Sequence, residues 1–223
     1  MMRKWIPFRY FAAALVVLAV AVLANQAMAS EQKLLPKPVI GEDGLHQQAW
    51  FHDSFLDLRE DITEAKAEGK KLVLMWEQRG CPYCLRTHEV NLTIPKIVNF
   101  IKDNFFVVQM NLWGDREVTD FDGQVLTEKK LAQKYAVRFT PTIQFFPDDL
   151  KVIGNKGGKD AEIARQPGYF KPFHFFTLFR YIQSGAYKTE PSFQRYVIAF
   201  GDELRAKGVD MNKQLWADKL FFD

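Results

Sequence analysis

The sequence predicts an α/β protein in which a mixed central β-sheet is flanked by helices. Strand-like apolar runs alternate with segments of helical spacing along most of the chain, and two strands follow one another near its end. Of the 223 residues, 48% are hydrophobic and 20 are phenylalanine, which suits one domain with a sizeable core. The predicted fold also contains an inserted hairpin and an extra C-terminal helix.

The first 29 residues have the pattern of a secretory signal peptide. Arg3 and Lys4 lie in a basic start, residues 11–24 form an uninterrupted apolar run, and Ala29 ends a small-x-small cleavage pattern before Ser30. A membrane anchor is the alternative, although the apolar run is shorter than the ~18 residues that a spanning helix needs. We therefore expect an exported protein whose leader is cleaved after Ala29.

The chain after the leader is expected to have three parts. Residues 30–52, rich in Pro, Gly and Gln, form an extended arm, 53–190 hold the sheet, and 191–223 form a C-terminal helical extension. The leader carries three basic and no acidic residues, so the formal charge falls from +3 to zero on its removal. A neutral chain gives no indication of a nucleic-acid partner.

The first elements of the domain are predicted to be a helix and a buried strand. The helix covers residues 54–68, with Asp53 or Ser54 as its N-cap and Gly69 at its end. The residues expected to face inward share helical spacing: Phe55, Leu58, Ile62 and Ala65. The strand follows at residues 71–77.

The later elements follow from the same two periodicities. In the middle of the chain, a helix at 95–103 is followed by a strand at 105–113 that is apolar enough to be central in the sheet. A hairpin at 117–127 turns at Asp122-Gly123. A helix at 128–136 then has Leu131 and Tyr135 facing inward. Towards the end they are a strand at 142–146, an antiparallel pair of 152–153 and 161–165 joined by a turn at 155–158, and helices at 172–183 and 192–206.

The only two cysteines lie two residues apart, between the strand at 71–77 and a helix-like run at 85–90. Unpaired N–H groups and the partial positive charge at a helix N-terminus favour a thiolate at Cys81. A thiolate attacks disulfides, and Cys84 is the resolving partner beside it. A structural bridge is the weaker interpretation, since closing so short a loop gains little chain entropy. Cys81 and Cys84 are therefore the candidate catalytic residues.

A Cys-x-x-Cys between a strand and its helix is the thioredoxin-like arrangement. Such folds place a cis-proline before the third core strand, beside the dithiol, and Thr140-Pro141 occupies that place in the chain order. A trans-proline at a strand edge is the alternative. We expect Thr140, Pro141 and Tyr83 to form the substrate-binding surface, although Tyr83 could also be an ordinary exposed aromatic residue.

Four segments carry a closer resemblance, to the SoxW-type periplasmic thioredoxins, over about residues 54–200. They are Glu77–Asn91, Val108–Val118, Phe139–Phe146 and Pro167–Phe175. The resemblance implies a periplasmic disulfide reductase linked to bacterial sulfur oxidation, without a cofactor beyond its cysteine pair. It also implies electrons from a membrane thiol transporter of the CcdA or DsbD kind and cysteine-containing periplasmic client proteins. We expect a monomer.

One departure from thioredoxins concerns proton transfer. Met75 stands where they have a buried aspartate, and Gly80 replaces a tryptophan. Glu77, at the strand end, is the candidate proton acceptor for Cys84. The alternative is that Glu77 is an exposed strand-end carboxylate.

Three other functions remain open from the sequence. A disulfide oxidase or isomerase would use the same cysteines, although strongly oxidising relatives have a histidine where this chain has Tyr83. Cys-Pro-Tyr-Cys also occurs in glutaredoxins. A metal-delivery module could use Cys81, Cys84 and His88, but a closed zinc site needs a fourth ligand. Otherwise His88 is expected on the helix surface, and His46, His52 and His174 receive no site assignment.

Overall fold

A four-stranded mixed sheet lies at the centre of the protein. The computed structural model describes residues 33–222, so the predicted leader falls outside the described residues. Its strands are β3 (Lys71–Glu77), β4 (Phe105–Asn111), β7 (Thr142–Phe145) and β8 (Ala164–Pro167). They lie in the order β4-β3-β7-β8 across the sheet. β3 and β4 are parallel and the other two pairings are antiparallel, which confirms the predicted mixed sheet.

Two short hairpins and eight α-helices complete the described fold. The hairpins pair β1 (Val39–Ile40) with β2 (His46–Gln47) and β5 (Glu117–Thr119) with β6 (Val125–Thr127). The helices are α1 (Leu58–Ala67), α2 (Pro82–Glu89), α3 (Pro95–Asn104), α4 (Glu128–Lys134), α5 (Leu150–Ile153), α6 (Pro172–Gln183), α7 (Phe193–Ala206) and α8 (Met211–Trp216). None of the helices between residues 33 and 222 has the length and apolar character that a bilayer span requires.

Strand β3 has a hydrophobic core on each of its faces, because successive side chains of a strand point in opposite directions. Val73 and Met75 pack with residues of α3 and α6. Leu72, Leu74 and Trp76 pack with residues of α1 and α4. The same alternation places Glu77 on the side of Val73 and Met75, where α2 also lies.

Strand β4 lies at the edge of the sheet, so the prediction that it is central was wrong. Its apolar sequence reflects helices on both faces, a pattern that carries no information about hydrogen-bonding neighbours. The arm covers part of this edge: the His52 backbone N–H donates to the carbonyl of Val107 at 2.8 Å. The Gln109 side chain donates to the backbone oxygen of His46 at 2.7 Å.

Helix α1 begins at Leu58, four residues later than predicted. The Asp57 side chain caps it by accepting hydrogen bonds from the backbone N–H groups of Arg59 and Glu60. Leu56 adopts a positive φ of 62°, which excludes a helix through this position. Phe55, predicted to face inward, is 99% exposed.

The predicted antiparallel pair of 152–153 and 161–165 is also absent from the described structure. Residues Leu150–Ile153 form a single helical turn, which starts where Asp149 accepts a hydrogen bond from the Lys151 backbone N–H. β8 pairs with β7 instead. Two β-branched residues in sequence were a weak strand signal, and the local Asp149 cap outweighs it.

The remaining elements agree with the sequence. The hairpin turns at Asp122-Gly123, with φ of +83° at Gly123, and Leu131 and Tyr135 are fully buried. Helices α6 and α7 lie where predicted, whereas α8 was missed. All described residues from Leu34 onward cluster in one compact unit, and the proposed boundaries at 52/53 and 190/191 stay predictions.

Candidate functional site

The cysteine pair lies where helix α2 begins, four residues after β3 ends. Cys81 is the N-cap of α2, Pro82 is its first residue, and the backbone N–H of Cys84 donates to the Cys81 sulfur at 3.0 Å. The two sulfurs form a disulfide with a Cα–Cα distance of 5.2 Å. Cys81 keeps 3% of its surface exposed and Cys84 none, so only Cys81 can meet another protein.

The loop before β7 places Thr140 against Cys81. The Thr140–Pro141 peptide bond is cis, as predicted. The Thr140 hydroxyl donates to the Cys81 sulfur at 3.3 Å, and the Thr140 carbonyl oxygen lies 3.5 Å from the same sulfur. A hydroxyl donor and a helix N-terminus converging on one sulfur would both stabilise a thiolate there.

An exposed aromatic surface adjoins the dithiol. Tyr83 is 59% exposed and stacks on Tyr169, with ring centroids 6.4 Å apart. The Arg86 guanidinium lies 5.5 Å from the centroid of the Tyr169 ring and pairs with Asp218 at 2.8 Å. Burial raises the pKa of Tyr169, although Arg86 opposes the shift, so this phenol stays protonated at neutral pH. Tyr169 was not predicted as a site residue.

Glu77 is fully buried behind the dithiol helix, so the alternative of an exposed strand-end carboxylate is wrong. His88 Nε2 donates to both Glu77 oxygens, at 3.0 and 3.1 Å, and the Gln109 side chain also donates to this carboxylate. His88 was expected on the helix surface, but it is fully buried. It lies one turn after Cys84, and residues four apart share a helix face, so both point towards the sheet.

The arm closes this polar cluster from the other side. Gln48 Nε2 donates to His88 Nδ1 at 3.2 Å, and the ring of His46 lies 5.6 Å from that of His88. Burial lowers the pKa of His46 and nearby His88 lowers it further, although Glu77 and Glu89 oppose the shift. His46 is therefore neutral at physiological pH.

The sequence alternative of a metal site at Cys81, Cys84 and His88 does not match these contacts. The two sulfurs are bonded to each other, and the imidazole is engaged by Glu77 and Gln48. Within residues 33–222, no group of three or more His, Cys, Asp or Glu side chains is arranged to hold a metal ion.

A family model for a thioredoxin-like domain matches residues 58–183, more than half of the chain. The chain belongs to the thioredoxin-like domain family. The matched segment contains both cysteines, Thr140 and Pro141, and Glu77 with His88. It begins after the arm, so Gln48 and His46 lie outside the thioredoxin-like match.

Two solved structures are similar to this thioredoxin-like chain. A thioredoxin-fold protein from Helicobacter pylori is 23% identical, with 59% of this chain and 84% of that chain covered and a TM-score of 0.45. A thioredoxin from Thermus thermophilus is 20% identical, with 60% and 90% covered and a TM-score of 0.45. The comparison with curated proteins gives no significant match.

Two signals in the sequence could have located the buried cluster of the thioredoxin-like domain. Glu77 continues the inward alternation of Val73 and Met75, so it had to point into the same core. His88 follows Cys84 by four residues, and Cys84 had to face the sheet if Cys81 faced solvent. No comparable signal existed for Gln48, because its position depends on how the arm crosses the sheet edge.

Proposed function

We propose that this protein is a periplasmic thiol–disulfide reductase of the SoxW type, which keeps the cysteines of client proteins reduced. The fold and the Cys81–Cys84 pair support thiol–disulfide redox chemistry in general. The observation that carries the reductase mechanism is the asymmetry of the pair. Cys81 is reachable and surrounded by hydrogen-bond donors, whereas Cys84 is sealed beneath it.

Each cysteine has one step in this mechanism. The Cys81 thiolate attacks a client disulfide, forms a mixed disulfide and releases one client sulfur as a thiolate. Cys84 then loses its proton to Glu77 and attacks the Cys81 sulfur. The Cys81–Cys84 bond forms, the bond to the client breaks, and the second client sulfur leaves and takes up a proton. Two electrons pass from the dithiol to the client.

The binding surface is proposed to consist of Tyr83, Thr140 and Pro141. Thr140 lies against Cys81, and Tyr83 is exposed next to it along the helix. Backbone groups of the Thr140–Pro141 loop would accept an extended client segment, whose cysteine would then meet Cys81. The Pro141 carbonyl is already used within the domain, since it accepts from the Gly168 N–H at 2.8 Å. That leaves Thr140 as the residue whose backbone a client would contact.

The cellular setting is proposed from the sequence. The leader pattern supports export, and the segments shared with SoxW-type proteins support a role in sulfur oxidation. The dithiol would receive electrons from a membrane thiol transporter of the CcdA or DsbD kind. Its clients would be periplasmic cysteine proteins.

Insulin reduction with dithiothreitol as electron donor tests the chemistry. Cys81→Ser abolishes the activity, and Cys84→Ser accumulates mixed disulfides that non-reducing electrophoresis detects. Persistent activity in Cys81→Ser would exclude the assigned nucleophile. Equilibration with glutathione then measures the reduction potential of the Cys81–Cys84 pair and separates a reductase from an oxidase. A reductase has a potential near that of thioredoxin, at about −270 mV, whereas an oxidase has one near about −120 mV.

Glu77→Gln tests the proton acceptor. Loss of a general base slows resolution by about a hundredfold while leaving the first attack by Cys81 unchanged. Glu128→Gln is the matched control, because Glu128 is also a buried carboxylate but its ionic partner is Arg116, at 2.6 Å, in place of His88. Equal effects of both variants on resolution would reject the role of Glu77.

Thiol trapping in intact cells tests the direction of electron flow. An alkylating reagent that adds mass to each free thiol shows whether Cys81 and Cys84 are reduced or joined in a disulfide. A mostly reduced pair, in an oxidising periplasm, requires a continuous electron supply and supports the reductase. A mostly oxidised pair during growth on reduced sulfur compounds favours a disulfide donor instead.

A further inference from the structure

The polar cluster behind the dithiol has the arrangement of a base that is oriented by further groups. Glu77 accepts from His88 Nε2, and His88 Nδ1 in turn accepts from Gln48 Nε2. An imidazole whose Nδ1 accepts a hydrogen bond must carry its proton on Nε2. The Glu77 carboxylate and the Gln48 amide donor therefore require the same tautomer, and Gln48 holds the ring from its other nitrogen.

We propose that His88 is a positioning residue that orients the Glu77 carboxylate for resolution by Cys84, and that Gln48 of the N-terminal arm holds the His88 ring in the orientation that donates to Glu77. This inference rests on the proposed function and adds two residues to it. Gln48 precedes the matched family region, so its contribution comes from a segment outside the family match.

The orientation of Glu77 matters because a carboxylate without fixed donors can rotate or take up a proton in a buried site. The described contacts hold it from two directions, with His88 donating from helix α2 and Gln109 from strand β4. His88 donates to both oxygens, so it sets the plane of the carboxyl group. Replacing His88 leaves the Gln109 contact, which alone does not fix that plane.

The two amides that contact the buried Glu77 and His88 also border a surface cleft away from Cys81. A cleft of about 370 Å³ between the arm and the edge of the sheet is lined by both Gln48 and Gln109. The amides that contact Glu77 and His88 therefore reach solvent on the side of the arm.

The charged and titratable groups around His88 come from three elements. They are Glu77 from β3, Cys84 from the same helix, and His46 from the arm. Glu89, the next residue of the helix, also contributes to the electrostatic field at His46. Burial lowers the pKa of His46, so His46 stays neutral near pH 7.

Stopped-flow mixing of the reduced protein with an aromatic disulfide that releases a coloured thiolate tests the inference. The first equivalent of coloured thiolate reports attack by Cys81, and the second reports resolution by Cys84. His88→Leu is expected to keep the rate of the first step within about twofold of the wild-type rate and to slow the second step about tenfold. His88→Gln, which can still donate to Glu77, recovers the second step to within about threefold of the wild-type rate.

Gln48→Leu provides an independent test at a half-buried position on the arm. It slows the second step several-fold, whereas Gln47→Leu, on the exposed side of the same segment, leaves it unchanged. Nitrogen NMR of the imidazole gives a readout that general loss of stability does not alter. The wild-type protein shows the proton on Nε2 of His88, and Gln48→Leu keeps it there but shifts the Nδ1 resonance, because Nδ1 loses its hydrogen bond.

The outcomes separate this inference from the proposed function. If the wild-type protein releases no coloured thiolate, the proposed function itself fails. If it releases both equivalents and His88→Leu and Gln48→Leu resolve at the wild-type rate, only the positioning role is overturned. Equal slowing of both steps in His88→Leu, with no recovery in His88→Gln, would likewise show a structural effect in place of positioning.

Discussion

Replacing Asp61 with Asn is expected to stabilise the protein more at alkaline than at acidic pH. Asp61 is 3% exposed on helix α1, and its carboxyl group accepts one hydrogen bond, from the Ser54 hydroxyl at 2.8 Å. Burial raises its pKa from 3.8 to about 7, a shift that the Ser54 hydrogen bond opposes and that nearby Asp57, Glu60 and Glu64 increase. The folded state therefore prefers the neutral acid.

The sign of the pH dependence follows from this raised pKa. The unfolded chain releases the Asp61 proton near pH 4 and the folded chain near pH 7, so the folded state loses stability as pH rises through this window. A shift of roughly three units at about 1.4 kcal/mol each gives an upper limit of about 4 kcal/mol. Asparagine is neutral at every pH and can still accept from Ser54.

Urea unfolding at pH 5 and pH 8 measures the effect. Asp61→Asn is expected to raise the free energy of unfolding by about 2–4 kcal/mol at pH 8, and by less than half as much at pH 5. Glu60→Gln is the control, since Glu60 is exposed on the same helical turn and its replacement changes the net charge equally. The same gain at both pH values, or none at pH 8, would refute a buried carboxyl that ionises at a cost.

Two further substitutions separate stability from binding. Tyr135→Phe removes the hydroxyl that donates to the buried Asp120 carboxylate at 2.6 Å. We expect urea unfolding to show that the free energy of unfolding falls by about 2 kcal/mol. A decrease below about 0.5 kcal/mol would contradict a stabilising role for this hydrogen bond. Tyr83→Ala removes an exposed ring, so the free energy of unfolding changes by less than about 0.5 kcal/mol. The KM of the Tyr83→Ala variant for a protein disulfide is expected to rise several-fold, while its reduction of a small disulfide is unaffected. Equal effects on both substrates would argue against a client-binding role for Tyr83.

Local features of the fold and site could be predicted well from the sequence. The Cys81–Cys84 pair, the strand before it and the helix after it are encoded within about twenty consecutive residues. The cis-proline at Thr140–Pro141 required the order of the strands in addition. These features depend on short-range spacing, which a single sequence shows directly.

The features that were missed depend on which distant segments meet. The apolar sequence of β4 shows that helices cover its faces, but its place at the sheet edge depends on where β3 and β7 pair. The start of α1 depends on Leu56, whose positive φ no residue type signals there. The arm was predicted as extended, yet its contacts with β4 and His88 depend on the path it takes across the sheet.

The Glu77–His88 pair is better explained by chemistry than by stability. Removing polar groups such as these from water costs free energy that their hydrogen bonds only offset, and replacing both partners of a buried hydrogen bond by apolar groups of the same shape can be nearly neutral. The neighbouring position Met75, on the same face of β3, is occupied by such an apolar residue. A polar pair between the dithiol helix and strand β3 therefore occupies a place that the packing of the fold does not require. That placement is what a dithiol needs when its second cysteine has no exposure to solvent and must give up its proton inside the protein.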